Sequence, residues 1–228
     1  MSPQPTPSLK SILMRYVLNN RYLWILALSY VVIYVTRTAM NDWGAVYLHE
    51  NGYSITSADS CLSFFEIGGF LGSLAAGWLS DTGFRGRRGQ TNTLFCVGTI
   101  LAVMALWHAP GHHYVLHAVL FFAIGFFIFG PQMLIGVAAA ELSHKKAAGA
   151  ATGFIGLWGY LGAALSGYPI GVVITHWHWQ GFFTALILCA ISSVLLLALL
   201  WSKRSYAEHH TSTPQSSMTD LTEEPQPV

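Results

Sequence analysis

The sequence predicts an all-α membrane protein that crosses the bilayer six times. Hydrophobic residues make up 53% of the 228 residues and charged residues only 9%. The mean hydropathy of +0.48 is too high for an ordinary soluble domain. A crossing helix needs about 20 mainly apolar residues, and six such stretches follow one another. They are Leu23–Tyr47, Ser60–Ser80, Thr91–Trp107, Val115–Ala140, Ala148–Thr175 and Phe182–Trp201.

Each stretch is expected to be a helix, because only helices and closed barrels satisfy the backbone in lipid. Pro131 lacks a backbone N–H and is expected to kink the fourth helix. The glycines of the fifth predict close contact with another helix. They are Gly149, Gly153, Gly156, Gly159, Gly162, Gly167 and Gly171. The expected organisation is a cytoplasmic segment at 1–21, a six-helix bundle at 22–202 and a disordered cytoplasmic tail at 203–228, rich in Ser, Thr, Pro and Glu.

Basic residues alternate between the predicted connections. They precede the first span and follow the second, fourth and sixth, whereas the opposite connections have none. The positive-inside rule then places both termini in the cytoplasm. Six spans with both ends on one side match one half of a twelve-span secondary transporter. The basic residues are Lys10, Arg15, Arg21, Arg85, Arg87, Arg88, Lys145, Lys146, Lys203 and Arg204.

Arg37 lies alone inside the first span, about 15 Å from its outer end. Burying an arginine in a bilayer costs several kcal/mol, so such a residue normally faces a pathway or a partner. Its guanidinium matches phosphate or carboxylate oxygens and predicts an anion site near the midplane. The alternative is a structural ion pair with Asp42 or Glu66. Tyr34 lies on the same helical face, where it either contacts the ligand or packs against neighbours.

The second span ends in an ordered run of small, acidic and basic residues. Membrane topology alone explains the arginines, but it does not explain the order of glycine and aspartate. Asp81 is expected to pair with these cations or with a neighbouring helix end. We interpret the run as a cytoplasmic gate motif formed by Gly77, Asp81, Arg85, Arg87 and Arg88.

The sequence indicates no metal site, no cofactor and no enzyme. The three cysteines lie in apolar stretches without paired spacing. His108, His112, His113 and His117 gather at one outer connection without an acid or cysteine nearby, which favours interfacial histidines over metal ligands. A nucleophile–base arrangement, a phosphate-binding loop and an ATPase motif are all missing. A net charge of +1 argues against nucleic acid as a partner.

Four runs of residues resemble the organophosphate:phosphate antiporters of the major facilitator superfamily, which include bacterial hexose-phosphate and glycerol-phosphate carriers. The runs are Tyr34–Trp43, Gly77–Gly89, Phe129–Gly136 and Lys145–Gly149. The resemblance covers 22–201 and implies the C-terminal half of a twelve-helix fold in the bacterial inner membrane. Residues 1–21 would then be a remnant of the central cytoplasmic loop.

The resemblance also implies roles for individual residues. Arg37 is similar to the phosphate-binding arginine of the family's C-terminal half, and Tyr34 and Tyr160 resemble site-lining tyrosines. Asp42 and Glu66 resemble charges that change partners when phosphate enters. The implied activity is exchange of a hexose phosphate such as glucose 6-phosphate for inorganic phosphate. A second phosphate-binding arginine belongs to the family's N-terminal half, so a six-helix half or a second copy of this chain is an expected partner.

Two alternatives to transport are considered, and the fifth span supports the first of them. Hexose-phosphate carriers have an acid and a lysine there, whereas Thr152–Thr175 contains no Lys, Arg, Asp or Glu. The run Ala151–Gly162 is most similar to the family's sensor member, which detects external glucose 6-phosphate and controls a membrane histidine kinase. One alternative is therefore a sensor of this kind. The other is an inactive fragment of a split gene.

Overall fold

Six long helices pack into a bundle in the computed structural model, which describes residues 13–111, 113–143 and 147–201. They are α1 Arg21–Glu50, α2 Ile55–Trp78, α3 Arg88–Trp107, α4 Tyr114–Glu141, α5 Ala148–Ser166 and α6 Tyr168–Ala198, with π-helical turns at Leu13–Leu18 and Leu79–Gly83. The described residues contain no strand, which confirms the predicted all-α fold. The predictions for 1–12, His112, Lys145, Lys146 and the tail 203–228 lie outside the described residues.

The first two helices extend beyond their predicted limits because polar side chains cap them. Asn20 precedes α1, and its side-chain oxygen accepts a hydrogen bond from the backbone N–H of Tyr22 at 3.0 Å. Ser54 precedes α2 and accepts in the same way from Ser57 at 3.2 Å. Such caps satisfy N–H groups that have no partner within the helix. The cap at Ser54 starts α2 five residues before the predicted Ser60.

The boundary between the fifth and sixth membrane crossings differs from the predicted one. Ala148–Ala198 is an almost continuous helical stretch of 51 residues, about 76 Å at 1.5 Å per residue, far longer than a hydrocarbon core of about 30 Å. It is interrupted at Gly167, with φ −77° and ψ −103°, and at His178, with φ 53° and ψ −160°. The helix is kinked at His178, so the predicted fifth span is interrupted at Gly167 and the predicted sixth begins soon after His178.

Two close helix contacts hold the bundle together. A Cβ atom on Gly72 of α2 would overlap the carbonyl oxygen of Phe126 on α4, and one on Gly162 of α5 would overlap that of Val31 on α1. Small residues permit this approach of one backbone to another. Gly149 and Gly153 face open space, so only part of the glycine pattern of the fifth span serves helix contact.

The bundle is a multi-pass membrane domain. Five stretches of the described residues are long and apolar enough to cross a bilayer, the last being the interrupted stretch Ala148–Ala198. Many large apolar side chains are exposed on the outside of α2, α5 and α6, which suits contact with lipid rather than water. Helices α1, α4 and α5 contact one another, and the first candidate residues lie where these three helices meet.

Candidate functional site

Arg37 lies near the middle of α1, thirteen residues before the helix ends at Glu50, or about 20 Å along the axis. Its side chain is half-buried. The Nε atom is buried and has no hydrogen-bond partner among the described residues. Arg37 is also absent from the ion pairs of the described part of the chain, which involve only Arg88. A permanent positive charge is therefore held at membrane depth without an ion-pair partner among the described residues.

Aromatic rings compensate part of that charge. The guanidinium carbon of Arg37 lies 4.6 Å from the ring centroid of Phe129 on α4 and 6.0 Å from that of Tyr34 on its own helix. Phe129 is in turn held by an edge contact with Phe65 at 5.5 Å. A cation over an aromatic face gains about 0.5 to 2 kcal/mol. These rings stabilise the charge without using its N–H donors, which remain available to oxygen atoms.

Three tyrosines continue from the guanidinium towards α5. The ring centroids of Tyr30 and Tyr34 are 4.7 Å apart, and those of Tyr34 and Tyr160 are 6.4 Å apart. Gln132 of α4 donates a hydrogen bond from Nε2 to the Tyr34 hydroxyl oxygen at 3.3 Å. Tyr160 is 75% exposed, so the aromatic row leads from the partly buried guanidinium to an open surface of the bundle.

Asp42 and Glu66 do not neutralise Arg37 in this structure. Both residues are exposed, and neither forms an ion pair with Arg37. The Asp42 carboxylate accepts a long hydrogen bond of 3.4 Å from Asn41. The structural ion pair considered from the sequence is therefore not formed here, and the exchange of partners between these charges stays a prediction.

Two residues of the run interpreted as a gate motif, Asp81 and Arg88, form an ion-paired cluster with Glu141 at one end of the bundle. Arg88, at the start of α3, pairs with Asp81 in the π-helical turn after α2. Its Nη2 and Nε atoms also donate to the two carboxylate oxygens of Glu141 at the end of α4, at 3.1 and 3.4 Å. A single guanidinium thus links the ends of α2, α3 and α4. Planar two-point pairing of this kind is the geometry that arginine favours with carboxylates.

The remaining gate residues shape the turn into α3. Arg85 is exposed and has a φ of 51°, and Gly86 follows with a φ of 78°. The amide of Gly86 donates to the carbonyl of Ser80 at 2.8 Å, which closes the turn. Arg87 precedes α3 without a side-chain cap. Gly77, near the end of α2, lies beside Met133 of α4, because a Cβ there would be 3.3 Å from the Met133 side chain.

Sequence reasoning missed three contributors to these sites. Phe129 and Gln132 were part of a run that carried the resemblance, but no role was given to either. Glu141 was not singled out, although it is an acid at the end of an apolar span and opposite a cluster of arginines, a signal that could have indicated it.

At the opposite end of the bundle, side-chain hydrogen bonds rather than ion pairs connect the described helices. Trp179 Nε1 donates to a carboxylate oxygen of Glu50 at 2.7 Å, and the Tyr53 hydroxyl lies 3.1 Å from Nδ1 of the buried His117. The described residues include no cluster of three or more His, Cys, Asp or Glu side chains that could hold a metal ion. These contacts connect the ends of neighbouring helices, and we assign no second ligand site to them.

Known proteins similar to this chain include a membrane sensor and transport proteins. The model of the Major Facilitator Superfamily matches residues 2–167. The "Membrane sensor protein UhpC" of Salmonella typhimurium is 54% identical over 85% of this chain and 44% of its own length. The "Probable hexose phosphate transport protein" of Chlamydia trachomatis is 49% identical over 89% of this chain and 45% of its own length.

A third relative has a more specific name. The "Hexose-6-phosphate:phosphate antiporter" of Escherichia coli is 36% identical over 83% of this chain and 42% of its own length. The chain thus spans less than half the length of these relatives. Together they confirm the resemblance to organophosphate:phosphate antiporters that the sequence runs indicated.

Proposed function

The chain belongs to the Major Facilitator Superfamily, and we propose that it exchanges a hexose phosphate such as glucose 6-phosphate for inorganic phosphate. It does so as the C-terminal half of the carrier, with Arg37 binding the phosphate near the membrane midplane. The relatives named above include transport proteins and no enzyme. The observation that carries the proposal is the unpaired, partly buried guanidinium of Arg37.

An unpaired intramembrane cation is best explained by an anionic ligand. Arginine can give phosphate two parallel N–H hydrogen bonds, which are short and charge-assisted. The Phe129 ring at 4.6 Å covers one side of the guanidinium, and this leaves its edge for such a ligand. Tyr34 and Tyr160 offer hydroxyl groups and ring faces beside the same position, which suits a sugar carried behind a phosphate.

Transport requires that the ligand change the balance between two states of the carrier. In this proposal, Asp42 or Glu66 pairs with Arg37 in another, unloaded state of the carrier, and phosphate binding to Arg37 displaces that carboxylate. The cluster of Arg88, Asp81 and Glu141 is the cytoplasmic gate that opens and closes with this change. In this proposal, both chain termini face the cytoplasm and the membrane is the bacterial inner membrane.

One arginine is half of what a phosphate ester needs. A phosphate monoester carries about −1.5 to −2 charge near neutral pH, whereas Arg37 supplies one positive charge. We therefore propose a partner, either a six-helix N-terminal half with its own arginine or a second copy of this chain. Two such halves related by an axis along the membrane normal form the fold of these carriers.

The test is uptake of labelled glucose 6-phosphate and labelled phosphate into proteoliposomes that contain this chain. Arg37→Ala is compared with Arg21→Ala, which removes an exposed arginine at the start of the same helix. If a second copy of this chain is the partner, we expect uptake with the unchanged chain and with Arg21→Ala, and none with Arg37→Ala. Undiminished uptake with Arg37→Ala would defeat the site assignment.

A sensor of external glucose 6-phosphate is the second candidate, because a relative at 54% identity is named as a membrane sensor. The uncharged Thr152–Thr175 segment supports it as well. In this case, the same Arg37 site binds the ligand, and a membrane histidine kinase responds to the conformational change. Kinase-dependent gene induction by glucose 6-phosphate without phosphate exchange would select the sensor. Absence of both uptake and induction would leave the inactive fragment of a split gene.

A further inference from the structure

Gln132 has a hydrogen-bonding atom that the bundle leaves without a partner. Its Nε2 donates to the Tyr34 hydroxyl oxygen, but its side-chain carbonyl oxygen is buried and accepts no hydrogen bond from the described residues. Leaving such a group buried without a partner costs about as much as a hydrogen bond contributes, so these groups are rare and require an explanation.

The unpartnered atoms of Arg37 and Gln132, two residues that both neighbour Tyr34, are complementary. Arg37 Nε is a buried donor without an acceptor, and Gln132 Oε1 is a buried acceptor without a donor. Phe129, which lies under the guanidinium, precedes Gln132 by three residues on α4, so both side chains project from one face of that helix. One ligand beside Tyr34 can therefore accept a hydrogen bond from Arg37 Nε and donate one to Gln132 Oε1.

The charged state of the ligand decides which part of it meets Gln132. A phosphate monoester is largely dianionic near neutral pH and then has only acceptor oxygens on phosphorus. Its phosphate satisfies Arg37, but it has no proton to give to a carbonyl oxygen. A hydroxyl group on the organic part of the ligand has that proton.

Resting on the function proposed above, we infer that Gln132 is a specificity residue that recognises a hydroxyl group on the organic part of the ligand. Its carbonyl oxygen accepts the hydroxyl proton while Arg37 holds the phosphate. Arg37 Nε and Gln132 Oε1 are both buried in this structure, so their side chains must rotate when the ligand binds. The terminal torsion of glutamine is broad, which makes such a rotation inexpensive.

Two phosphate esters separate this role from phosphate binding. Glucose 6-phosphate has hydroxyl groups, whereas methyl phosphate is a dianionic monoester without any. The affinities of both for this chain in lipid nanodiscs are measured with Gln132→Leu, which removes both polar atoms and leaves an apolar side chain. Gln180→Leu is the matched control, because Gln180 is an exposed glutamine of α6. Gln132→Met is a second variant, and thermal melting verifies that each one folds.

We expect the unchanged chain and Gln180→Leu to prefer glucose 6-phosphate to methyl phosphate. In Gln132→Leu this preference falls by about tenfold, which corresponds to about 1.4 kcal/mol, and the affinity for methyl phosphate changes by less than about twofold. Tyr34→Phe provides a further control, because it removes the hydroxyl group that Gln132 holds. A double-mutant cycle then shows whether Gln132 acts only through Tyr34.

Several outcomes would overturn the inference. An equal loss of affinity for both esters would mean that Gln132 binds the phosphate itself or only positions Tyr34. If the double variant with Tyr34→Phe loses no more affinity than one single variant, Gln132 only positions Tyr34. An unchanged preference would mean that an ordinary water molecule satisfies the carbonyl. If neither ester binds the unchanged chain, the proposed function and the inference fail together. If both bind with the same ratio in every variant, only the inference fails.

Discussion

Arg37 and Arg88 have the same side chain in opposite surroundings. Arg88 lies at the end of the bundle and pairs with the carboxylates of Asp81 and Glu141. Arg37 lies at mid-membrane depth, pairs with no carboxylate of the described residues and is contacted by the rings of Phe129 and Tyr34. The arginine at mid-membrane depth is therefore the one without a carboxylate partner among the described residues, which is the reverse of what stability alone would select.

The difference distinguishes a structural arginine from a ligand-binding one. Carboxylates at the ends of α2 and α4 use the donors of Arg88, so its role is to connect helices. Aromatic rings give Arg37 part of the needed compensation but accept none of its in-plane hydrogen bonds. Its donors thus stay open to an anion, and the same substitution at the two positions should affect different measurements.

The largest expected effect is the loss of ligand binding in Arg37→Ala. Two charge-assisted hydrogen bonds to phosphate contribute about 1.5 to 3 kcal/mol each, so we expect affinity for inorganic phosphate to fall by at least about 100-fold. The thermal midpoint should stay the same or rise, because a partly buried charge without an ion-pair partner among the described residues is removed. Binding in nanodiscs and melting of the same samples measure the two effects. A lower midpoint with unchanged affinity would show that Arg37 is structural.

Arg88→Ala should show the opposite pattern. The Arg88 side chain is 16% exposed and that of Glu141 is 28% exposed, so the substitution leaves a partly buried carboxylate without a partner. We expect the free energy of unfolding to fall by about 1 to 3 kcal/mol, while folded protein retains its phosphate affinity. Arg88→Ala combined with Glu141→Ala should destabilise by less than the sum of the two single changes. Additive effects in this cycle would contradict the pairing.

The position of Arg37 could be predicted from the sequence, whereas its contacts could not. A single cation inside an apolar stretch has a known depth, because α1 has a fixed rise per residue. Which face of α4 meets α1 depends on packing, and packing brings Phe129 and Gln132 to the site. Tyr34 shares a helix with Arg37, so its proximity followed from spacing alone. Tyr160 came from resemblance, and the structure places it 6.4 Å from Tyr34.

The ion-paired cluster of Arg88, Asp81 and Glu141 was also predictable from the sequence only in part. Asp81 is seven residues from Arg88 and was considered as its partner, but Glu141 is 53 residues away. That contact requires the end of α4 to meet the start of α3, which no local pattern specifies. The kink at His178 was also inaccessible, because a φ of 53° is uncommon for a residue other than glycine. The polar stretch around it indicated a connection but not the residue at which the helix is kinked.

A smaller effect is expected when the ring beneath Arg37 is changed. Phe129→Leu keeps an apolar side chain but removes the aromatic face, which contributes about 0.5 to 2 kcal/mol to a nearby cation. We expect phosphate affinity to decrease about threefold to tenfold, since the guanidinium is held less firmly. Phe70→Leu is the control, because Phe70 is an exposed phenylalanine of α2. Unchanged affinity in Phe129→Leu would show that the ring contact does not prepare Arg37 for its ligand.

The smallest effect separates the two acids that bind Arg88. The Asp81 side chain is 62% exposed, so water and salt screen its attraction to the arginine, and exposed ion pairs contribute about 0 to 1 kcal/mol. Asp81→Asn should therefore lower the thermal midpoint less than Glu141→Gln, which removes the charge of the more buried and doubly bonded partner. Raising the salt concentration should reduce the Asp81→Asn effect more than the Glu141→Gln effect. If Asp81→Asn is the more destabilising change, the turn after α2 rather than the end of α4 holds Arg88 in place.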